Sequence, residues 1–229
     1  MEIPKCAAIL PQPSKIVCVG QNYTAHALEL GNGIPKEPVL FQKAPSSWAA
    51  PFAPLELPPG AEKLDYEVEL GVVIGKQAKW VGEEEAMDYI GGYVVLCDYS
   101  ERAWQKEHEG QWNKGKSHDG FCPAGPEIVP VSKIADPQDL RIWSKVNGEI
   151  RQDSNTNDMI FSVRTVVSYI SQFMTLLPGD VIATGTPGGV GMGMAPPQFL
   201  KVGDVVELGI DGVGVIRQKI VAADSIRHA

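Results

Sequence analysis

Three carboxylates lie within or directly after apolar stretches of the sequence, where acidic residues are uncommon. Glu67 and Glu69 belong to the run 65–75, which is typical of a buried strand, and Asp98 follows the apolar run 91–97. Because side chains alternate between the two faces of a strand, Glu67 and Glu69 are predicted on one face. Neighbouring carboxylates in an apolar setting repel each other unless a cation lies between them, and three oxygen donors suit Mg²⁺ or Mn²⁺. Three solvated carboxylates at a sheet edge are the alternative that spacing alone leaves open.

A histidine and a glutamate form a second candidate group. His26 and Glu29 lie three residues apart on a helix predicted over 24–30, directly after a strand predicted at 15–20. They therefore share one helical face and can form a hydrogen bond, which is an arrangement suited to proton transfer. A purely structural histidine is the alternative.

Further polar candidates follow the third carboxylate. Arg102 and Gln105 share one face of a helix predicted over 100–107. The segment 110–117 matches the phosphate-binding pattern GxxxxGKS, but polar residues precede it where a buried strand is needed, and no long helix can follow it. Nucleotide binding is therefore excluded, and Lys116 remains a candidate as a cation in a glycine-flanked loop.

The composition is that of an ordinary globular protein, with 44% hydrophobic and 21% charged residues in a chain of 229. A net charge of −8 and a pI near 5.0 argue against nucleic acid or an anionic membrane as a partner, so an anionic substrate needs a local positive site. The four scattered cysteines are predicted to be reduced core residues. No membrane-spanning run or signal-peptide pattern is found, so the expected location is the cytoplasm.

Most predicted elements are strands, and they do not alternate regularly with helices. An Asn-Gly pair at 147–148 and an Asp-Gly pair at 211–212 predict hairpin turns. The strongest helical pattern covers 162–177. Residues 1–14 are interpreted as an N-terminal arm and 15–229 as a single catalytic domain. The expected fold class is mostly β or α+β, with a few helices packed on a β-roll.

Several segments, in this order along the chain, resemble the fumarylacetoacetate hydrolase superfamily. They are GQNYTAHALELG, EPVLFQKAP, DYEVELGVVIG, GGYVVLCDYSERAWQ, KGKS, RIWSKVNGEIRQ and GDVIATGTPGGVG. The resemblance extends from Lys15 to Val221. It is closest to 2,4-diketo-3-deoxy-L-fuconate and -rhamnonate hydrolases, and acylpyruvases and oxaloacetate decarboxylases form a similar branch. It implies a mixed β-roll, usually assembled as a homodimer, with Mg²⁺ or Mn²⁺ as the cofactor.

The resemblance also implies roles for individual residues. The implied metal ligands are Glu67, Glu69 and Asp98. The implied catalytic residues are His26, Glu29 and Lys116. The implied substrate contacts are Arg102, Gln105, Thr186 and Lys43. His118 departs from the residues that relatives usually carry after the KS pair, which puts the specificity near the lysine in question.

The implied activity is hydrolysis of the C3–C4 bond of a 2,4-diketo acid, either an acylpyruvate or a 2,4-diketo-3-deoxy sugar acid, to pyruvate and a second acid. The substrate is a small anionic keto acid, and His26 is expected to act as the base that activates water. An oxaloacetate decarboxylase or an enol–keto tautomerase is the alternative, because it uses the same enolate without an attacking water. A non-catalytic binding protein on the same fold is a third possibility, and it does not need His26, Glu29 or Lys116.

Overall fold

The computed structural model describes residues 10–29, 31 and 33–223. Within these residues the α-helices are α1 (Thr24–Glu29), α2 (Arg102–Lys106), α3 (Trp112–Lys116) and α4 (Val163–Phe173). The strands are β1 (Ile16–Gly20), β2 (Val39–Lys43), β3 (Trp48–Ala49), β4 (Leu55–Leu57), β5 (Leu64–Asp65), β6 (Val68–Ile74), β7 (Ile90–Cys97), β8 (Ser100–Glu101), β9 (Cys122–Pro130), β10 (Arg141–Val146), β11 (Glu149–Asn155), β12 (Val181–Ala183), β13 (Val205–Ile210) and β14 (Gly214–Ala222). The predominance of strands and the few short helices confirm the predicted α+β class.

Two mixed sheets build the fold. The first has seven strands in the order β2-β1-β12-β6-β7-β9-β3, and the second has five in the order β11-β10-β13-β14-β4. A third, two-stranded ribbon pairs β5 with β8. Most neighbouring strands are antiparallel, but β1 and β12 are parallel. About 165 residues separate these two strands in sequence. One large apolar core takes side chains from the two main sheets and from α4.

Two hairpins form where the sequence predicts them. The turn after β10 has Asn147 at φ 53° and Gly148 at φ 84°, and it joins β10 to the antiparallel β11. These positive φ values define the tight turn that favours an Asn-Gly pair. The turn between β13 and β14 contains Gly212 at φ 77°. Both predicted turns are confirmed.

Several predicted boundaries are wrong. The helix predicted over 162–177 ends at Phe173, because Leu176 leaves the helix to form a bridge with Ala78, in which each amide donates to the other's carbonyl at 2.9 Å. The helix predicted over 100–107 begins only at Arg102, because the two preceding residues pair with β5 as a strand. The run 65–75 is interrupted between β5 and β6, with Glu67 in the gap.

The predicted arm at 1–14 falls largely outside the described residues, and so does Cys6. Residues 10–14 form no regular element, but the carbonyl of Leu10 accepts a hydrogen bond from Trp48 Nε1 at 3.1 Å. The cysteines within the described chain, at positions 18, 97 and 122, are free and buried, as predicted. No helix in this part of the chain is long and apolar enough to cross a membrane.

Candidate active site

The three predicted metal ligands converge where two central strands meet. Glu67 precedes β6, Glu69 lies on it, and Asp98 directly follows β7, which pairs antiparallel with β6 so that Glu69 faces Leu96. One carboxylate oxygen from each residue lies within 4.8 Å of the other two, and all three side chains are buried. The predicted proximity of these carboxylates is therefore confirmed, and the alternative of solvated edge residues is wrong.

Three cations, Lys43, Arg102 and Lys116, neutralise part of this carboxylate cluster. Lys116 Nζ lies 2.6 Å from both Glu67 Oε2 and Asp98 Oδ2, and Arg102 Nη2 lies 2.7 Å from Glu67 Oε1. Burial opposes ionisation of Glu67, but the charges of Arg102 and Lys116 outweigh burial and lower the pKa of its carboxyl group. Lys116, predicted in a loop, is instead the last residue of α3.

Glu69 is the member of the cluster that lacks a cation partner among the described residues. Its Oε2 accepts a hydrogen bond from the Gly185 amide at 2.7 Å, and no lysine or arginine forms an ion pair with it. Burial raises the pKa of Glu69, and the negative charges of Asp98 and Glu67 raise it further. Three buried carboxylates, of which Glu69 has no ion-pair partner among the described residues, fit the ligand set of a divalent cation such as Mg²⁺ or Mn²⁺.

The His26–Glu29 pair lies on α1, which follows β1. His26 Nδ1 lies 3.4 Å from Glu29 Oε2, which confirms the predicted contact, and the imidazole is buried. Glu29 Oε1 accepts a hydrogen bond from the Gly189 amide at 3.0 Å. The glutamate is therefore fixed between the histidine and the loop that follows β12, and it can orient the imidazole.

A cavity of about 200 Å³ brings the candidate groups together. Seven of the predicted site residues line it: His26, Glu67, Glu69, Arg102, Gln105, Lys116 and Thr186. The cavity therefore has carboxylates, cations and a buried imidazole on a common surface, which is the set that acid–base chemistry on an anionic substrate requires.

Three predicted substrate contacts, Arg102, Gln105 and Thr186, already form hydrogen bonds within the protein. Arg102 Nη1 donates to Gln105 Oε1 at 3.1 Å, which fixes the side chains of α2 relative to each other. The Thr186 hydroxyl donates to the Val68 carbonyl at 2.9 Å and accepts from Gln152 Nε2 at 2.8 Å. The hydroxyl proton is thus already donated within the protein, and Thr186 can contact a substrate only by accepting a hydrogen bond at its remaining lone pair.

Lys43 and His118 lie outside the lining of the cavity. Lys43 is 1% exposed, and its Nζ donates to Asp98 Oδ1 at 2.5 Å and to the Tyr99 carbonyl at 3.1 Å. It supports Asp98 from behind, a position that does not suit the predicted substrate contact. The His118 ring packs near Phe121, with ring centroids 5.3 Å apart.

Sequence reasoning missed two features of the site. Asp65 is completely buried, accepts from Arg102 Nε at 2.9 Å and from the Gly191 amide at 2.7 Å, and so orients Arg102. The only signal was its place at the start of the acidic strand run. An aromatic wall formed by Phe41 and Trp112, with ring centroids 5.3 Å apart, also lines the cavity, and no local pattern marked it.

The fold and this site define an enzyme of the fumarylacetoacetate hydrolase family. A family model described as the fumarylacetoacetate (FAA) hydrolase C-terminal domain matches residues 15–221, and the chain therefore belongs to this family. Members of the family are hydrolases, isomerases and tautomerases, and they generally bind a divalent metal. The resemblance to the fumarylacetoacetate hydrolase superfamily is confirmed.

Individual relatives carry several of these activities in their names. The oxaloacetate tautomerase FAHD2A of Bos taurus is 46% identical over 215 residues, which cover 93% of this chain and 68% of the relative. The fumarylacetoacetate hydrolase of Exiguobacterium antarcticum superposes with a TM-score of 0.86 at 43% identity, over 93% of this chain and 76% of that one. The 2-hydroxyhepta-2,4-diene-1,7-dioate isomerase of Mycobacterium marinum superposes with a TM-score of 0.82 at 40% identity. The match covers 93% of this chain and 77% of that one.

Proposed function

We propose that this protein is a Mg²⁺- or Mn²⁺-dependent hydrolase that cleaves the C3–C4 bond of a 2,4-diketo acid to pyruvate and a second carboxylic acid. The observation that carries the proposal is the presence of His26, in contact with Glu29, on the same small cavity as Glu67 and Glu69. Hydrolysis needs a base that can activate water, and the buried His26 imidazole beside Glu29 can serve as that base. A non-catalytic binding protein requires neither group.

The residues of the chain divide into binding and proton-transfer groups. Glu67, Glu69 and Asp98 would hold the divalent cation, which when bound supplies a Lewis acid for the enolate oxygen that develops in the reaction. Arg102 and Lys116 present positive charge to the cavity and favour binding of the substrate carboxylate.

The proposed reaction begins with water next to His26. The imidazole takes a proton from the water, and the hydroxyl adds to the C4 carbonyl, while Glu29 holds the ring in the orientation needed. The C3–C4 bond then breaks, its electron pair forms the enolate of pyruvate, and the proton held by His26 goes to C3. Lys116 lies within the cavity wall, where it stabilises the negative charge as it develops.

Keto–enol tautomerisation of a 2-oxo acid is the second candidate, with oxaloacetate decarboxylation as a related variant. The 46% identical bovine relative named oxaloacetate tautomerase favours it. Tautomerisation moves one proton between C3 and the C2 oxygen and needs no attacking water. The same cations and carboxylates can serve it, whereas the role of His26 differs.

The two candidates are separated by rates on a substrate panel. Pyruvate release from acylpyruvates and 2,4-diketo-3-deoxy sugar acids is measured with Mg²⁺ or Mn²⁺, alongside tautomerisation and decarboxylation of oxaloacetate. For His26→Ala we expect hydrolysis to fall about 10²–10⁴-fold, and oxaloacetate decarboxylation much less, because the hydrolytic step needs the general base. A wild-type protein that tautomerises oxaloacetate but releases no pyruvate from any diketo acid would refute the hydrolase proposal.

We further propose a homodimer located in the cytoplasm, as expected from the sequence. Light scattering of the purified protein measures the dimer directly, and a monomer at micromolar concentration contradicts it.

A further inference from the structure

Lys106 differs from the other cations of the cavity in having no carboxylate partner. Arg102 forms ion pairs with Asp65 and Glu67, and Lys116 pairs with Glu67 and Asp98. Lys106 lines the same cavity, but across residues 10–29, 31 and 33–223 it forms neither an ion pair nor a hydrogen bond. Its positive charge therefore faces the cavity without a direct carboxylate partner among the described residues.

The position of Lys106 places this charge at the outer end of the cavity. It lies on α2, four residues after Arg102, so the two side chains are neighbours on the helix surface, and both line the cavity together with Gln105. Arg102 and Gln105 are each 3% exposed, and Lys116 is 2% exposed, whereas Lys106 is an exposed residue. If the 2-oxo acid group of a substrate occupies the buried part of the cavity, the distal part of the substrate would extend towards Lys106.

The electrostatic surroundings of Lys106 also favour an anion. Partial burial lowers the pKa of Lys106, and the neighbouring charges of Arg102 and Lys116 lower it further, although Glu67 acts in the opposite direction. The adjacent Glu107 does not relieve this repulsion, because its carboxylate pairs with Lys63. A ligand carboxylate at this point would supply the missing negative charge.

We propose that Lys106 binds the distal carboxylate of a dicarboxylic 2-oxo acid and so makes the site selective for substrates with a second negative charge. This inference rests on the proposed function, since it assumes that the buried end of the cavity holds the 2-oxo acid group. Under it, Lys106 determines specificity and takes no part in breaking the bond.

The test uses ligands that bind without reacting. The diacids 2-oxoglutarate and 2-oxoadipate are compared with 2-oxopentanoate and 2-oxohexanoate, which have the same chain lengths but end in a methyl group. None carries a carbonyl at C4, so none can be cleaved. Dissociation constants are measured by calorimetry with Mn²⁺ present, for the wild type, Lys106→Met, Lys106→Arg and Lys114→Met. Lys114 is the control, because it is an exposed cation on the adjacent α3 whose Nζ donates to the His108 carbonyl at 2.9 Å.

We expect the wild type to bind at least one diacid about tenfold more tightly than its matched monoacid, the size of one charge-assisted hydrogen bond at a partly exposed site. Lys106→Met should abolish this preference and leave the monoacids unaffected, while Lys106→Arg and Lys114→Met should keep it. Two results would overturn the inference and leave the proposed function standing. One is equal binding of diacids and monoacids by the wild type, and the other is a preference for diacids that survives in Lys106→Met. Failure of the wild type to bind any of the four ligands removes the 2-oxo acid site itself, and both proposals with it.

Discussion

A single methyl group at Gly193 should misplace the His26–Glu29 pair without removing either member. A Cβ atom there would lie 2.2 Å from Cδ of Glu29 and 2.4 Å from its Oε1, whereas ordinary contacts begin at 3.4 Å. The carboxylate of Glu29 would therefore have to move by about 1.2 Å, the difference between 3.4 and 2.2 Å. Gly193 does not use the left-handed backbone region, so alanine itself introduces no backbone strain.

The displacement should reduce hydrolysis and leave the fold intact. It would break the contact between Glu29 and His26, and the hydrogen bond from the Gly189 amide. Misplacing a catalytic group by about 1 Å can cost about 10²-fold in rate, so we expect kcat/KM of Gly193→Ala for a diketo acid to fall by about that factor. The clash falls on the end of a flexible, partly exposed side chain, so the free energy of unfolding should change by only about 0.5 kcal/mol.

The same loop provides a matched control. In Gly188→Ala the atom nearest to the new Cβ is Cβ of Ala25, at 3.5 Å, which is an ordinary contact. Gly188, like Gly193, does not use the left-handed backbone region. Pyruvate release, Mn²⁺ affinity and thermal unfolding are measured for both variants. Full activity in Gly193→Ala would refute the orienting role of Glu29, and equal losses in both variants would show that the loop responds to any added methyl group.

Two further changes test the carboxylate cluster and the helices that carry its cations. Glu69→Ala removes the one carboxylate of the cluster that has no cation partner in the described chain. Calorimetry should therefore show that Mn²⁺ binding is lost while the protein stays folded. Retained Mn²⁺ affinity would exclude this cluster as the metal site. Gly115→Ala places a Cβ 2.5 Å from the Glu101 carbonyl oxygen and 2.6 Å from the Gln105 amide nitrogen, backbone atoms that cannot rotate away, so urea unfolding should show a loss of about 1–3 kcal/mol. An unchanged urea midpoint would mean that α2 and α3 separate at little cost.

Local sequence patterns were sufficient to predict those parts of the site that depend on one or two neighbouring elements. The alternation around Glu67 and Glu69 predicted a common face, and the apolar run before Asp98 predicted a strand end. The spacing of His26 and Glu29 predicted their contact. In each case one backbone periodicity determines which side chains meet.

The parts that depend on long-range pairing could not be predicted in this way. Thr186 reaches the cavity because β12 inserts between β1 and β6, a neighbourhood that no local pattern specifies. Lys43 shares the apolar strand β2 with Phe41, and only the assembled sheet determines that Phe41 lines the cavity while Lys43 lies behind Asp98. Helix ends were missed for a similar reason, since bridges to distant residues competed with the continuing helix.

The glycine-rich loop after β12 explains how the His26–Glu29 pair and the carboxylate cluster are held at fixed positions relative to each other. Three of its backbone amides donate to three carboxylates of the site: Gly185 to Glu69 at 2.7 Å, Gly189 to Glu29 at 3.0 Å, and Gly191 to Asp65 at 2.7 Å. A side chain is excluded at Gly189, because a Cβ atom there would lie 2.1 Å from the Arg151 carbonyl oxygen and Gly189 has φ 100°. Buried charges such as those of Asp65 and Glu69 rarely stabilise a fold better than apolar residues would. We therefore interpret the loop as an element that positions these carboxylates, with Gly185, Gly189 and Gly191 required by the close approach of its backbone to the rest of the site.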